Sequence, residues 1–94
     1  MAIIIDIERK AKNIDKEVCY EYDLFINNKI DKETFIDSLY LFIDEIEDLI
    51  ELIFQVYQCK LIPETKFNCL TDILCGYRFK FSQIYNSVKE QEND

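Results

Sequence analysis

The sequence contains no histidine, no tryptophan, a single glycine (Gly76) and a single proline (Pro63). Without histidine, the chain cannot form a Ser-His or Cys-His nucleophile, or the Glu-x-x-His motif of di-metal carboxylate bundles. One glycine is too few for a loop that cradles phosphate, and too few turn residues are present for the hairpins of an all-β fold. We therefore expect no enzyme activity, no cofactor and no metal site.

Long apolar runs are also lacking, and Asp6 interrupts the apolar residues near the start of the chain. A bilayer span needs about 20 mostly apolar residues, and a signal peptide needs an uninterrupted apolar region, so we expect a cytoplasmic protein with no membrane segment. The cysteines include no C-x-x-C pair, so a zinc site is not expected. In a reducing compartment all four should serve as small apolar packing residues: Cys19, Cys59, Cys69 and Cys75.

The residues that are present favour helices. With 49% hydrophobic residues among 94 positions, the chain is large enough to bury one core but too short for two domains. Apolar residues recur every three to four positions over residues 3–27, 31–58 and 63–89, the spacing of amphipathic helices. We predict one all-α domain, residues 1–94, with three long helices in a small antiparallel bundle and a frayed tail at 90–94. Asn13 and Asp15 are good N-caps, so a break of the first helix near Asn13, which gives four helices, also fits the pattern.

One apolar stripe on each helix defines the predicted core. The stripe of the central helix spans an arc of about 160°, wide enough to contact two neighbouring helices. Gly76 falls opposite the stripe of the third helix, where it either permits close approach of another backbone or is a weak position in the helix. The three stripes are Ile3, Ile4, Ile7, Ala11, Ile14, Val18, Tyr22 and Phe25; then Phe35, Leu39, Phe42, Ile43, Ile46, Leu49, Ile50, Ile53, Val56 and Tyr57; then Phe67, Leu70, Leu74, Tyr77, Phe81, Ile84, Tyr85 and Val88.

The predicted helix ends coincide with capping residues. Asn27 and Asn28 tolerate the left-handed backbone that closes a helix. Asp31 is placed to cap the second helix by accepting a hydrogen bond from an amide of its first turn. Pro63 is tolerated in the first turn of the third helix, because the amide hydrogen that proline lacks has no partner there.

Negative charge is concentrated in the central helix. The chain has a net charge of −8, and residues 31–58 contain eight of its 19 acids but one base, Lys32, so that this segment alone carries −7. The two outer helices are close to neutral. An acidic surface repels nucleic acid and anionic lipid, so we expect neither as a direct partner and predict a basic protein instead.

Four of these acids and one glutamine share one side of the central helix, which we call the acidic face: Asp37, Asp44, Asp48, Glu51 and Gln55, with Tyr40 and Glu47 on its flank. Asp44, Asp48 and Glu51 are separated by rises of about 6 and about 4.5 Å, close to the phosphate spacing of a nucleic-acid strand. The alternative is an ordinary solvated face. Solvated faces usually mix charges, however, because like charges at i,i+4 oppose helix formation.

Two leucines, Leu41 and Leu52, border the acidic face outside the core arc, as an apolar interface centre borders a charged rim. Contact with a neighbouring helix is an equal alternative for both. Tyr20, Leu24 and Phe79 also lie off their core stripes and could contribute to a partner surface or a dimer seam. The predicted partner-binding residues are Asp37, Tyr40, Leu41, Asp44, Glu47, Asp48, Glu51 and Leu52.

Residues 24–35, LFINNKIDKETF, resemble the helix–turn–helix opening of colicin-D-type immunity proteins. The match consists of the Leu24-Phe25 pair, the Lys29-Ile30 pair three residues on, and Phe35 five residues further, and it covers 12 of 94 residues. The resemblance implies a small helical bundle whose acidic surface occupies the basic active cleft of a tRNA-cleaving toxin. The acidic positions do not align with that family, so no residue's role is carried over.

Together these features predict an inhibitor that neutralises a basic, nucleic-acid-handling protein, as an immunity protein or antitoxin neutralises a nuclease toxin. A phage-encoded anti-CRISPR or anti-restriction protein that imitates nucleic acid is the alternative within this class, with a CRISPR or restriction effector as its partner. A structural bundle that forms homodimers through Leu41, Leu52 or Phe79 is the alternative from another class.

Overall fold

A computed structural model describes residues 2–90, with side chains from residue 4 onward. Its elements are α1 (Ala2–Ile26), α2 (Lys32–Gln58) and α3 (Glu64–Glu90), which confirms the predicted all-α bundle of three long helices. α1 runs through Asn13 without a break, so the four-helix alternative is not realised. Glu90 belongs to α3, and the remainder of the predicted tail, residues 91–94, lies outside the described residues.

The turn between α1 and α2 is closed by backbone hydrogen bonds at both ends. Asn28 has a positive φ of 61°, and the amides of Asn28 and Lys29 donate to the carbonyls of Phe25 and Leu24, the pattern of a Schellman motif. Asp31 then caps α2, because its carboxylate accepts the amide of Thr34 at 2.7 Å. Hydrogen bonds from Thr34 lower the pKa of the Asp31 carboxyl below its ordinary 3.8. The cap therefore stabilises the fold at higher pH, and this stabilisation is lost as the pH falls through the lowered pKa.

The turn between α2 and α3 repeats this arrangement with a less suitable residue. Lys60 has a φ of 61°, and its amide and that of Leu61 donate to the carbonyls of Tyr57 and Val56. Left-handed backbone normally favours glycine or asparagine, so a lysine here is conformationally costly. Pro63 follows, and its carbonyl accepts the first hydrogen bond of α3 from Phe67.

The core is continuous along the bundle and lies where the stripes predict. Every stripe residue with a described side chain is buried or partly buried, and Ile3 lies outside that range. Stacked rings close the two ends of α2: the centroids of Phe25 and Phe35 are 5.2 Å apart, and those of Tyr57 and Phe67 are 4.2 Å apart. Among the described residues no charged or polar side chain is fully buried, so the core is stabilised by apolar burial alone.

α2 is the middle helix of the up-down-up arrangement and packs against both α1 and α3, most extensively against α3. The bundle is elongated, about 50 × 21 × 16 Å between Cα atoms. Within residues 2–90, no helix carries an apolar stretch that could cross a bilayer. The outer side of α2 is therefore a long, narrow surface presented along most of the molecule.

The prediction for the cysteines is wrong, and the structure decides between the two interpretations of Gly76. The four cysteines are all exposed free thiols, not packing residues. Gly76 is exposed, and a Cβ at this position would have no heavy atom within 4 Å, so no neighbouring backbone approaches it. Of the two interpretations of Gly76, the weak helical position is therefore the one that fits the structure.

Replacing Gly76 with alanine should stabilise the protein by about 1 kcal/mol, because alanine loses less backbone entropy in a helix and meets no steric obstacle here. Urea unfolding followed by circular dichroism measures the change. Gln83→Ala, two turns further along the same exposed side of α3, is the matched control and should change the free energy of unfolding by less than about 0.3 kcal/mol. Destabilisation by Gly76→Ala would show that the glycine has a packing role.

Candidate partner-binding surface

The structure places the predicted binding residues on the outer side of α2, with one exception. Asp37, Asp44, Asp48 and Glu51 are all exposed, and so are their neighbours Tyr40, Leu41 and Glu47. Leu52 is instead half-buried and packs against the hydrophobic core. Its position beside the acidic face therefore reflects contact within the bundle, which was the alternative interpretation for this leucine.

The orientation of the acidic face follows from the burial of the opposite stripe. Phe35, Leu39, Ile46 and Ile53 have at most 1% of their surface exposed, and at about 100° per residue the acids Asp44, Asp48 and Glu51 point away from them. Rotating α2 to bury the acids would expose this apolar stripe and desolvate charges without counter-ions. The acids are therefore held outward by the packing of the rest of the helix.

Charge compensation within the chain reaches one of these acids. Arg78 of α3 donates from Nε and Nη2 to Oε2 of Glu47, at 3.0 and 2.9 Å. The other ion pairs of the described residues lie away from α2: Arg9–Asp6 within α1, and Lys66–Glu8 and Lys80–Asp15 between α3 and α1. Asp37, Asp44, Asp48 and Glu51 thus have no cationic group within 4.0 Å in the part of the chain that the structure describes.

Two lysines of α3, Lys66 and Lys80, pair with acids of α1 instead. Lys80 donates to the Asp15 carboxylate at 2.7 Å, and this hydrogen bond raises the pKa of Lys80 above its ordinary 10.5. Cys19 Sγ lies 3.9 Å from the same lysine nitrogen. The bridge holds a positive charge on the far side of the bundle, so the field of the acidic face is not diminished by it at close range.

Sequence reasoning missed a groove beside the acidic face, between α2 and α3. It has a volume of about 360 Å³ and is lined by Tyr40, Asp44 and Glu47 from α2 and by Arg78, Ser82 and Tyr85 from α3, among others. Glu47 and Arg78 separate it from a second groove of about 480 Å³ that contains Ile50, Phe54 and Cys75. Finding these grooves requires the register between two helices, for which the sequence offers no direct signal.

Leu41 and Phe79, two of the exposed apolar residues, lie on different sides of the bundle. Leu41 is 64% exposed and Phe79 is 66% exposed. Leu41, however, lies about 120° around α2 from Glu47, which contacts α3. Leu41 is therefore on the side of α2 that faces away from α3, whereas Phe79 belongs to α3. A homodimer could not bury both residues through one continuous patch.

Groups of three or more potential ligands that could hold a metal ion are not found among the residues with described positions. Comparison with protein-family models, with characterised proteins and with solved structures finds no match to this chain. The function must therefore be inferred from the charge, burial and contacts of the surface itself.

Neutralising an unpaired acid should stabilise the bundle, whereas neutralising the paired one should not. Asp48 has three acidic neighbours at i±3 and i−4, so Asp48→Asn should raise the free energy of unfolding by about 0.5–1 kcal/mol. Glu47→Gln removes the ion pair with Arg78 and also removes the repulsion from two acidic neighbours. Its free energy of unfolding should therefore stay within about 0.5 kcal/mol of the wild-type value. Urea unfolding at low salt gives both values. Destabilisation by Asp48→Asn would reveal a counter-charge at Asp48.

Proposed function

We propose that this protein is a cytoplasmic inhibitor that binds a basic, nucleic-acid-handling protein and occludes its nucleic-acid cleft, as an immunity protein or antitoxin neutralises a nuclease toxin. The observation that carries the proposal is that Asp44, Asp48 and Glu51 lie along one exposed side of α2 and pair with no cation within residues 4–90. Such an arrangement costs the free protein stability, because like charges at i,i+3 and i,i+4 repel. A basic partner would offset this cost on binding.

The chemistry of the surface suits competition at a basic cleft. Its negative field would accelerate encounter with a positively charged partner, and short-range contacts would then fix the complex. Tyr40 is 61% exposed beside the acids, and tyrosine is one of the residue types enriched at interface hot spots. The resemblance of residues 24–35 to colicin-D-type immunity proteins favours the same task.

The helical spacing of the acids also supports the phage-encoded alternative, an anti-CRISPR or anti-restriction protein that imitates nucleic acid. On a straight helix, Asp44, Asp48 and Glu51 form a row with rises of about 6 and about 4.5 Å. Both versions use the same surface and differ in the partner they block. Identifying the bound protein as a nuclease toxin or as a CRISPR or restriction effector distinguishes them.

The test compares the wild-type protein with a variant in which three acids of the acidic face are reversed in charge, Asp44→Lys/Asp48→Lys/Glu51→Lys. Wild-type protein should capture a basic nuclease from lysate of its native cells, inhibit its cleavage of nucleic acid, and be displaced by excess oligonucleotide. The triple variant should lose capture and inhibition by at least about 100-fold, since several charge contacts of 1–3 kcal/mol each are reversed. Circular dichroism establishes that the variant remains folded.

A matched control separates the effect of the acidic face on binding from the effect of the protein's net charge. Glu17→Lys/Asp23→Lys/Asp72→Lys reverses three exposed acids that take part in none of the ion pairs above, and both triples change the net charge from −8 to −2. The control should retain inhibition with a reduction of less than about tenfold. Equal losses in both triples, or a ternary complex with oligonucleotide, would contradict occlusion by the acidic face. A stable homodimer that is indifferent to the first triple would support the assembly alternative.

A further inference from the structure

The groove between α2 and α3 contains a carboxylate without a counter-ion beside an aromatic ring without a partner. Glu47 in this groove is paired with Arg78, which contacts Oε2 through Nε and Nη2. Asp44 lines the same groove one turn earlier and takes part in no ion pair among the described residues. The groove thus has one carboxylate left to accept a cation.

Tyr40 lies one turn before Asp44 and lines the same groove. Tyr40 is 61% exposed, and its ring has no aromatic or cationic partner in the described part of the chain. Across the groove, the ring of Tyr85 already holds the Lys89 nitrogen 5.5 Å from its centroid. The face of Tyr40 remains open to a cation.

The groove already binds one guanidinium group of the chain's own, that of Arg78. We propose that it takes a second, from an arginine side chain of the basic partner, which donates to Asp44 and stacks on Tyr40. This inference rests on the proposed function and specifies which partner group the surface recognises. Arginine suits the site better than lysine, because its planar guanidinium can stack on a ring and donate two hydrogen bonds to a carboxylate at once.

Arg78 determines which carboxylate of this groove attracts a cation. It neutralises Glu47 through Oε2, so Asp44 is the groove carboxylate without a counter-ion among the described residues. An anion that approached Arg78 would also meet the carboxylates of Asp44 and Glu47, and a purely apolar side chain would leave Asp44, Ser82 and Asn86 without hydrogen-bond partners. The remaining acids of the acidic face would attract the partner without fixing its register.

Hexa-arginine and hexalysine, which carry equal charge, are the probes. Each peptide is titrated into isotopically labelled wild-type protein, and binding is followed by the protein's NMR chemical shifts. Hexa-arginine should bind at least about threefold more tightly than hexalysine. Its largest chemical-shift changes should fall on Tyr40, Asp44, Ser82 and Tyr85. Tyr40→Ala should weaken hexa-arginine about threefold and should also abolish the preference over hexalysine.

Asp44→Asn and Asp37→Asn remove the same charge from the acidic face, but Asp37 does not line the groove. Asp44→Asn should weaken hexa-arginine about tenfold and Asp37→Asn less than about twofold. Equal effects of the two variants, no preference for arginine, or shifts spread evenly along α2 would overturn the groove site and leave the acidic-face inhibitor intact. Binding in the groove by a protein that blocks no nuclease would instead overturn the proposed function alone.

Discussion

The burial of the α2 stripe between α1 and α3 is the constraint on which the rest of the structure depends. A stripe about 160° wide on a helix can be covered by two neighbours, and the up-down-up order of a short chain supplies both. Once Phe35, Leu39, Ile46 and Ile53 are buried, the rotation of α2 about its axis is determined. The acids on the opposite side of α2 are then exposed to solvent.

This arrangement gives the two sides of one helix opposite effects on stability. The inner side of α2 contributes the apolar burial that stabilises the fold, and the outer side carries carboxylates whose mutual repulsion works against it. Among the described ion pairs, Lys66 and Lys80 of α3 bind acids of α1, and Arg78 binds Glu47 of α2. An uncompensated acidic face is therefore a property of the whole bundle, since it depends on where α3 directs its cations.

The fold could be predicted from the sequence because its determinants are local. Periodicity assigned Val18, Leu39 and Phe81 to the core correctly, and the capping role of Asp31 follows from residue type and position. The contact between Glu47 and Arg78 could not be predicted, because the two residues are 31 positions apart and meet through the register of two helices.

The four cysteines and Leu52 were assigned incorrectly or incompletely for identifiable reasons. The cysteines were assigned to packing from residue type, although Cys75 lies about 140° from the α3 stripe at Leu70, which would have indicated an exposed thiol. Leu52 was placed outside the core arc by its angle alone, and contact within the bundle covers it. Angular position on a helix thus predicted exposure well at the centre of each side and poorly at its edges.

Unfolding of the isolated protein by urea, at about 0.02 M and about 0.5 M NaCl, tests most directly whether the acidic face is uncompensated. Salt screens exposed charges, so the free energy of unfolding should rise by about 1 kcal/mol in the wild type and by less than half as much in Asp44→Asn/Asp48→Asn/Glu51→Gln. An equal rise in both proteins, or a stability that is unchanged or lower at high salt, would contradict the account.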